Sequence, residues 1–500
     1  MHIRCSDAIR VSLLYSLIGI NAANAQFLES ELEFGVPIDS HRVLSGYGSE
    51  RGSILLTGRS QTGEKIIGLY PIEQDSVDAS ALLTMPVPPE VLYFDAGQVG
   101  EKTELLFLTP DGVSRLDEES ASLTTVADIQ SIFRTASRAP LTELDFFMDV
   151  NEDGMDDIVL ADFEGLKILL QTPEGFAPQG LLNIRPELRL NQGEPHYQVE
   201  RLHHFDFNLD GQKDLAIIRD NQFLVFERNA GGFAADAKTL PIDIDLEDED
   251  SARYGGDVVD IDQSDYRVSR IDKVADLNGD SLPDILTITT VSEGLFNKHT
   301  EYRVHLGRNS AEGVHYLPDE DAEIPSDGIQ VDLSILGEDG TQGKDLVSTS
   351  FRIGFGEIIS ALFSRSIKVN VELFRIGTDP LYPPEADYRA RVRLRFSLST
   401  GFVNVPAVRF GDFDGDGKSD LLLQEDTESL ELRLGNGRDF KSAELHWKTT
   451  LPRDGTLIKV ANVNDDSAMD VLIGYGRSDG EGMRNRLRVL LGQAIDEGVP

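Results

Sequence analysis

Asp412-Phe-Asp414-Gly-Asp416-Gly417-Lys418-Ser-Asp420 sets oxygen-bearing side chains at positions 1, 3, 5 and 9 of a nine-residue loop, with glycine at position 6. Four other stretches share the frame: Asp149-Val-Asn151-Glu-Asp153-Gly154-Met155-Asp-Asp157, Asp206-Phe-Asn208-Leu-Asp210-Gly211-Gln212-Lys-Asp214, Asp276-Leu-Asn278-Gly-Asp280-Ser281-Leu282-Pro-Asp284 and Asn462-Val-Asn464-Asp-Asp466-Ser467-Ala468-Met-Asp470. Carboxylate and amide oxygens converging on a tight turn are what a hard cation such as Ca²⁺ selects, at about six to eight oxygens per ion. The expected ligands are the side chains at positions 1, 3, 5 and 9, the backbone carbonyl of position 7 (Met155, Gln212, Leu282, Lys418 and Ala468), and water. Mg²⁺ suits the loops less well, because it keeps its waters and demands a smaller octahedron.

An EF-hand would place a bidentate Glu at position 12. Leu160, Ile217, Thr287, Leu423 and Ile473 stand there instead, which excludes that loop and the dockerin type with it. By charge count the fourth loop, with four aspartates, should hold its ion most tightly. The fifth, where Asn462 and Asn464 replace two of them, should be weakest. Four Ca²⁺ sites and a weaker fifth are therefore expected.

Position 9 is followed at once by a continuous apolar run: Ile158-Val-Leu160, Leu215-Ala-Ile217, Ile285-Leu-Thr287, Leu421-Leu-Leu423 and Val471-Leu-Ile473. Such runs suit strands buried on both faces. A further strand follows after a turn, at 166–171, 223–227, 302–306, 430–434 and 487–491. In this frame weaker copies emerge. Gly337 to Asp345 keeps acids only at Asp339 and Asp345, and the hairpins near Tyr47–Ser53 and Asp95–Glu104 have no ligand set. Eight units result, starting near 45, 95, 149, 206, 276, 337, 412 and 462. Spacings of this size fit the blades of an all-β propeller, eight-bladed in preference to seven. The last unit stops after its third strand, and the alternating stretch 27–36 is placed to supply the missing outer one.

These loops resemble the FG-GAP (VCBS-type) repeats of integrin α-subunit propellers and many exported bacterial proteins. The resemblance covers roughly residues 27–500, with Phe410-Gly411 ahead of the fourth loop as its one clear Phe-Gly; the Gly-Ala-Pro element is absent. It implies a propeller with Ca²⁺ held in the hairpin loop between two strands of a blade.

The chain of 500 residues carries 87 acidic against 46 basic side chains, a net charge of -41 that disfavours nucleic acid and anionic membranes as partners. Arg4, Arg10, the apolar run 11–20 and Ala23-Asn-Ala25 read as a secretory signal peptide over 1–25, leaving a propeller over 26–500. That run is too short to span a bilayer, so a secreted or periplasmic location without a membrane span is expected. Cys5 is the sole cysteine and lies inside the signal, so the mature chain has no thiol for disulfides, zinc or catalysis.

Insertions are expected near 243–270, 308–334 and 350–392, the last including a short amphipathic helix at 356–364. His203-His204 is the only adjacent histidine pair, and strand alternation sends the two rings to opposite faces. No Gly-x-Ser-x-Gly elbow, phosphate-binding loop, zincin motif or kinase signature is expected. Two functions remain. The first is a non-enzymatic monomer that binds an extracellular or periplasmic protein or glycan through its loops. The alternative is a Ca²⁺-dependent carbohydrate-active enzyme, similar to polysaccharide lyases built on propellers.

Overall fold

The computed structural model describes residues 27–493 except 101, 118–121, 135–139, 192–193, 199–200, 245, 247–264, 294–297, 327, 337–342, 353–365, 396–405, 438 and 441–444. The expected signal peptide and the helix expected at 356–364 lie outside the described residues.

Eight sheets form the blades of a β-propeller, seven of them four-stranded and antiparallel; that of blade 2 gains a fifth, two-residue strand, Thr142–Glu143, parallel to Tyr93–Phe94 of its first strand. Blade 1 comprises Ile38–Leu44, Ser53–Arg59, Lys65–Pro71 and Leu83–Pro86; blade 2, Tyr93–Val99, Lys102–Thr109, Gly112–Asp117 and Ser122–Ala127. Blade 3 follows with Phe147–Met148, Asp157–Asp162, Gly165–Thr172 and Gly175–Leu182, and blade 4 with His203–Phe205, Asp214–Arg219, Gln222–Phe226 and Lys238–Pro241. Blade 5 is Asp265–Ala275, Asp284–Glu293, Lys298–His305 and Ala322–Ile324; blade 6, Ile329–Leu336, Asp345–Phe351, Ser366–Phe374 and Tyr388–Arg395. Blade 7 is Val408–Gly411, Asp420–Gln424, Ser429–Arg433 and Leu445–Lys448. Blade 8 takes Ile458–Ala461, Asp470–Ile473 and Arg486–Leu491 from the C-terminal end and Leu28–Glu33 from the N-terminal end.

The second strand of each blade explains the continuous apolar runs. Its alternate side chains feed two different interfaces. Leu421 and Leu423 join the cluster between blades 6 and 7, while Leu422 joins that between blades 7 and 8. Leu105 and Phe107 face blade 1, and Leu106 and Leu108 face blade 3. A strand clamped between two neighbours has no solvent face, so period-2 polarity vanishes. Eight apolar clusters result, one at every blade boundary.

The eighth cluster seals the ring. Leu32, Phe34, Leu472, Leu487 and Val489 of blade 8 pack on Ile54, Leu56 and Tyr70 of blade 1. The closing strand runs antiparallel to the last one, from Leu28↔Leu491 to Glu33↔Arg486. Its outward acids meet arginines: Glu31 pairs with Arg486 at 2.7 Å and with Arg488 at 2.9 Å, and Glu29 with Arg488 at 2.9 Å. Joining the ends of the chain in one sheet leaves no interior edge unpaired.

The ranges expected as insertions contain blade strands as well. Ser366–Phe374 and Tyr388–Arg395 complete blade 6, Ala322–Ile324 completes blade 5, and the first strand of blade 5 begins at Asp265. The Pro-rich stretch between the two blade 6 strands is a packed arch, with Tyr382 buried and its hydroxyl donating to Lys344 O at 2.7 Å.

Candidate metal centres

The five acidic loops join the first and second strands of blades 3, 4, 5, 7 and 8, so all lie at the same end of the ring. Each is built by its own carboxylates. In the first loop Asp149 accepts from the N–H groups of Asp153 (3.1 Å) and Gly154 (2.9 Å), Asn151 Oδ1 from Asp153 (2.9 Å), and Asp153 Oδ1 from Met155 (2.9 Å). The same bonds recur from Asp206, Asn208 and Asp210, from Asp276, Asn278 and Asp280, and from Asp412, Asp414 and Asp416. The fifth loop keeps part of the pattern: Asp466 N–H donates to Asn462 at 3.3 Å and Ala468 N–H to Asp466 at 2.8 Å.

To wrap this tightly the backbone turns left-handed twice. Position 6 does so at Gly154, Gly211, Ser281 and Gly417, and position 4 at Glu152, Leu209, Gly279, Gly415 and Asp465. The sequence pattern exposed the first requirement and hid the second, since only two of the five position-4 residues are glycine. A side chain there costs roughly 1–2 kcal/mol.

Position 9 is the buried anchor. Asp157, Asp214, Asp284, Asp420 and Asp470 are fully buried. One oxygen of each accepts from position 2 of its own loop: Val150, Phe207, Leu277, Phe413 or Val463. The other accepts from the end of the third strand at Gln171, or from just beyond it at Arg228, Gly307, Gly435 or Gly492. Burial pushes these carboxyls up, to about 7 for Asp157, Asp284, Asp420 and Asp470 and about 6 for Asp214, against the pull of the N–H bonds and with further upward pressure from loop neighbours such as Asp153, Asp210, Asp280, Asp414 and Asp466.

Position 2 carries a role that spacing alone did not reveal. Val150, Phe207, Leu277, Phe413 and Val463 are each buried in the apolar cluster shared with the following blade. The backbone bonds across the same boundary: Lys344 N–H donates to Leu277 O at 2.7 Å, Met469 N–H to Asp412 O at 2.6 Å, and Arg228 reaches Asn151 O. Loop geometry and blade packing are thus one structure.

The residues fit a hard cation. In the fourth loop oxygens of Asp412, Asp414 and Asp420 lie within 4.8 Å of one another, and Asp414 is raised by burial and by Asp416 and Asp412. Like charges at that distance ask for a cation. In the fifth loop Asn464 is buried, its amide nitrogen bonds Gln74 O and Asp466, and its Oδ1 has no partner among the described residues. Position 5 is the variable ligand. Asp416 pairs with Lys418 Nζ at 2.5 Å, while Asp153, Asp210 and Asp280 each hold the amide of the position-3 asparagine.

Outside the loops Asp95, Glu143 and Asp145 form a second carboxylate cluster, in which Arg42 pairs with Asp95 at 3.0 Å and with Glu143; the histidine candidates disperse. His203 packs edge-on against Phe223, and burial pushes its ring down to about 4, with Arg201 adding to the shift. His204 points elsewhere, toward the charges of Lys213, Glu152 and Arg228. Contrary to the expectation, the chain does spell Gly-x-Ser-x-Gly once, at Gly476-Arg-Ser478-Asp-Gly480, but the stretch forms a 3-10 turn at Arg477–Asp479, unlike the strand-to-helix elbow that presents a serine nucleophile. Among the described residues no helix is long and apolar enough to cross a membrane.

No protein-family model and no curated protein matches the sequence. Among solved structures, the chain is similar to an Agrocybe aegerita lectin studied for recognition of non-reducing terminal N-acetylglucosamine, with 13% identity, TM-score 0.42, and coverage of 95% of this chain and 97% of that one. It is also similar to a biofilm matrix protein of V. cholerae, with 13% identity, TM-score 0.39, and coverage of 95% and 89%.

Proposed function

We propose that the chain is an exported propeller of the FG-GAP/VCBS type, in which Ca²⁺ in the five loops consolidates the ring and the opposite face binds a protein or glycan without turnover. The observation that carries this reading is the seating of position 2 in the next blade interface. An ion held by such a loop stiffens a boundary between blades, which is a structural task. The chemistry of the ligands supports Ca²⁺: they are oxygens throughout, with buried carboxylates that a divalent charge would stabilise.

Topology supports that choice of face. The strands that end at Leu182, Pro241, Phe351 and Arg395 all end on the side of the blades opposite the acidic loops, and each is followed by a connection of more than ten residues. Long loops held by a rigid scaffold are where recognition concentrates. The test is a screen of the mature protein against glycans and exported proteins, with product analysis. Saturable binding without products supports the reading, and turnover of a polysaccharide overturns it in favour of the lyase-like alternative.

A further inference from the structure

The outermost strand of blade 6, Tyr388–Arg395, reads Tyr-Arg-Ala-Arg-Val-Arg-Leu-Arg. Arginine occupies every second position, 389, 391, 393 and 395. The neighbouring strand pairs Glu372 with Arg389, Asn370 with Arg391, Lys368 with Arg393 and Ser366 with Arg395. The two strands together carry five cations and one carboxylate. Lys368, Arg389 and Arg391 are exposed. Glu372 holds Arg389 at 2.8 Å, and Asn370 accepts from Arg391 Nε at 3.2 Å. Between them Val369, Val371 and Ala390 are buried in the cluster with blade 7, so the basic row stands on a rigid sheet.

We propose that this edge docks a linear polyanionic glycan, one bearing carboxylate or sulfate groups along its chain; the proposal rests on the glycan-binding reading above and extends its surface down the outer strand, whose Arg395 end lies at the face opposite the acidic loops. Charge complementarity carries it. Charged residues also guard sheet edges against pairing, and Glu29, Glu31 and Glu33 line the outer strand of blade 8, where Glu29 and Glu31 meet Arg486 and Arg488 of the neighbouring strand; of lysine and arginine the other seven outer strands carry only Lys238 and Lys448. A guard needs no such row, least of all in a chain of net charge -41. Alternate strand positions are about 6.8 Å apart, so the four arginines span about 20 Å. A small anion would need only the exposed Arg389 or Arg391, whereas an extended polymer can follow the strand along its register. Nucleic acid is the poorer occupant. It carries a charge about every 1.7 Å and is repelled most by the acidic whole, and the one aromatic residue of the strand, Tyr388, is turned edge-on to Phe440 at 5.2 Å instead of offering a face to a base.

The test measures binding of polygalacturonate, dextran and double-stranded DNA to the Ca²⁺-loaded mature protein and to two variants. Wild type should bind polygalacturonate and not dextran, and lose that binding when salt is raised. Arg389→Glu/Arg391→Glu should weaken it at least ten-fold, and Lys368→Glu, on the adjacent strand, several-fold, with melting temperatures unchanged. Binding that both variants retain in full, or DNA binding as tight as polygalacturonate, overturns the proposal. If polygalacturonate fails while other glycans or proteins bind, the strip alone is refuted; if nothing in the wider screen binds, the functional reading itself fails.

Discussion

Replacing Phe413 by alanine separates a loop that merely sits on the ring from one mechanically part of it. Phe413 is fully buried, lies edge-on to Phe27 at 6.1 Å, and packs with Leu422, Leu430, Val471 and Leu490 where blades 7 and 8 meet. Removing such a ring costs about 3–5 kcal/mol through lost burial and a residual cavity. The N–H of the same residue donates to Asp420 at 2.9 Å, so a displaced position 2 misplaces a ligand. At a Ca²⁺ concentration 100 times the dissociation constant, one site adds about 2.7 kcal/mol, and a ten-fold weaker site adds about 1.4. F413A should therefore lose roughly 1.3 kcal/mol of Ca²⁺-dependent stability beyond its loss in chelator. Leu69→Ala, a fully buried core deletion between blades 1 and 2, is the control. It should cost about 2–5 kcal/mol and leave the Ca²⁺ increment intact. The assay is urea unfolding of the three proteins in excess Ca²⁺ and in chelator. Equal increments in all three would refute the coupling of loop to interface.

Acid should also loosen the ring through its buried histidines. Burial, helped by Lys459, pushes His41 down to about 3, and burial with Arg201 pushes His203 down to about 4, from 6.5. A depressed folded pKa means stability is fully present above 6.5 and lost as pH falls, at about 1.4 kcal/mol per pH unit for each ring until its folded value is reached. His41→Gln should melt with a shallower dependence than wild type between pH 6.5 and 4, and parallel curves would contradict the assignment. Closure of the ring predicts that Leu32→Asp, which puts a charge into a fully buried position, frees residues 27–33 to proteolysis after Glu29 and Glu31. Glu31→Gln, at an exposed ion pair, should cost no more than about 1 kcal/mol. Unchanged digestion of L32D would count against closure by that strand. Asp465→Gly relieves a left-handed residue in an exposed turn, and urea unfolding should show it neutral to about 1 kcal/mol more stable; a clear loss would mean that Asp465 makes an interaction of its own.

Much of this architecture was visible in the linear pattern because the second strands are buried on both faces and the loops repeat their chemistry. Ile158 to Leu160 and Leu421 to Leu423 announce such strands directly. Outer strands were harder to see, being short and free of a common pattern: Ala322–Ile324 has three residues, and Tyr388–Arg395 follows a Pro-rich arch and was absorbed into an expected insertion. The axial strand Thr142–Glu143, parallel to Tyr93–Phe94, leaves no trace in composition. At the loops, ligand spacing marked positions 1, 3, 5 and 9. The burial of position 2 was invisible there, because one apolar residue among acids looks like ordinary turn filler until the next blade is seen against it. Lys418 shows the converse. Charge count ranked the fourth loop first, but its lysine side chain occupies Asp416 and offsets part of that advantage.

The claim that the acidic loops are Ca²⁺ staples of the ring is tested most directly by melting the mature protein before and after chelation, then restoring Ca²⁺ or Mg²⁺. Each site held at 100 times its dissociation constant adds about 2.7 kcal/mol. At about 2.1 cal/mol/K of unfolding entropy per residue, a propeller of roughly 470 residues shifts by about 1 °C per kcal/mol, so losing four or five such sites together should lower the melting temperature by well over ~5 °C. Ca²⁺ should restore it fully and Mg²⁺ only in part. A melting temperature indifferent to chelation would contradict the account.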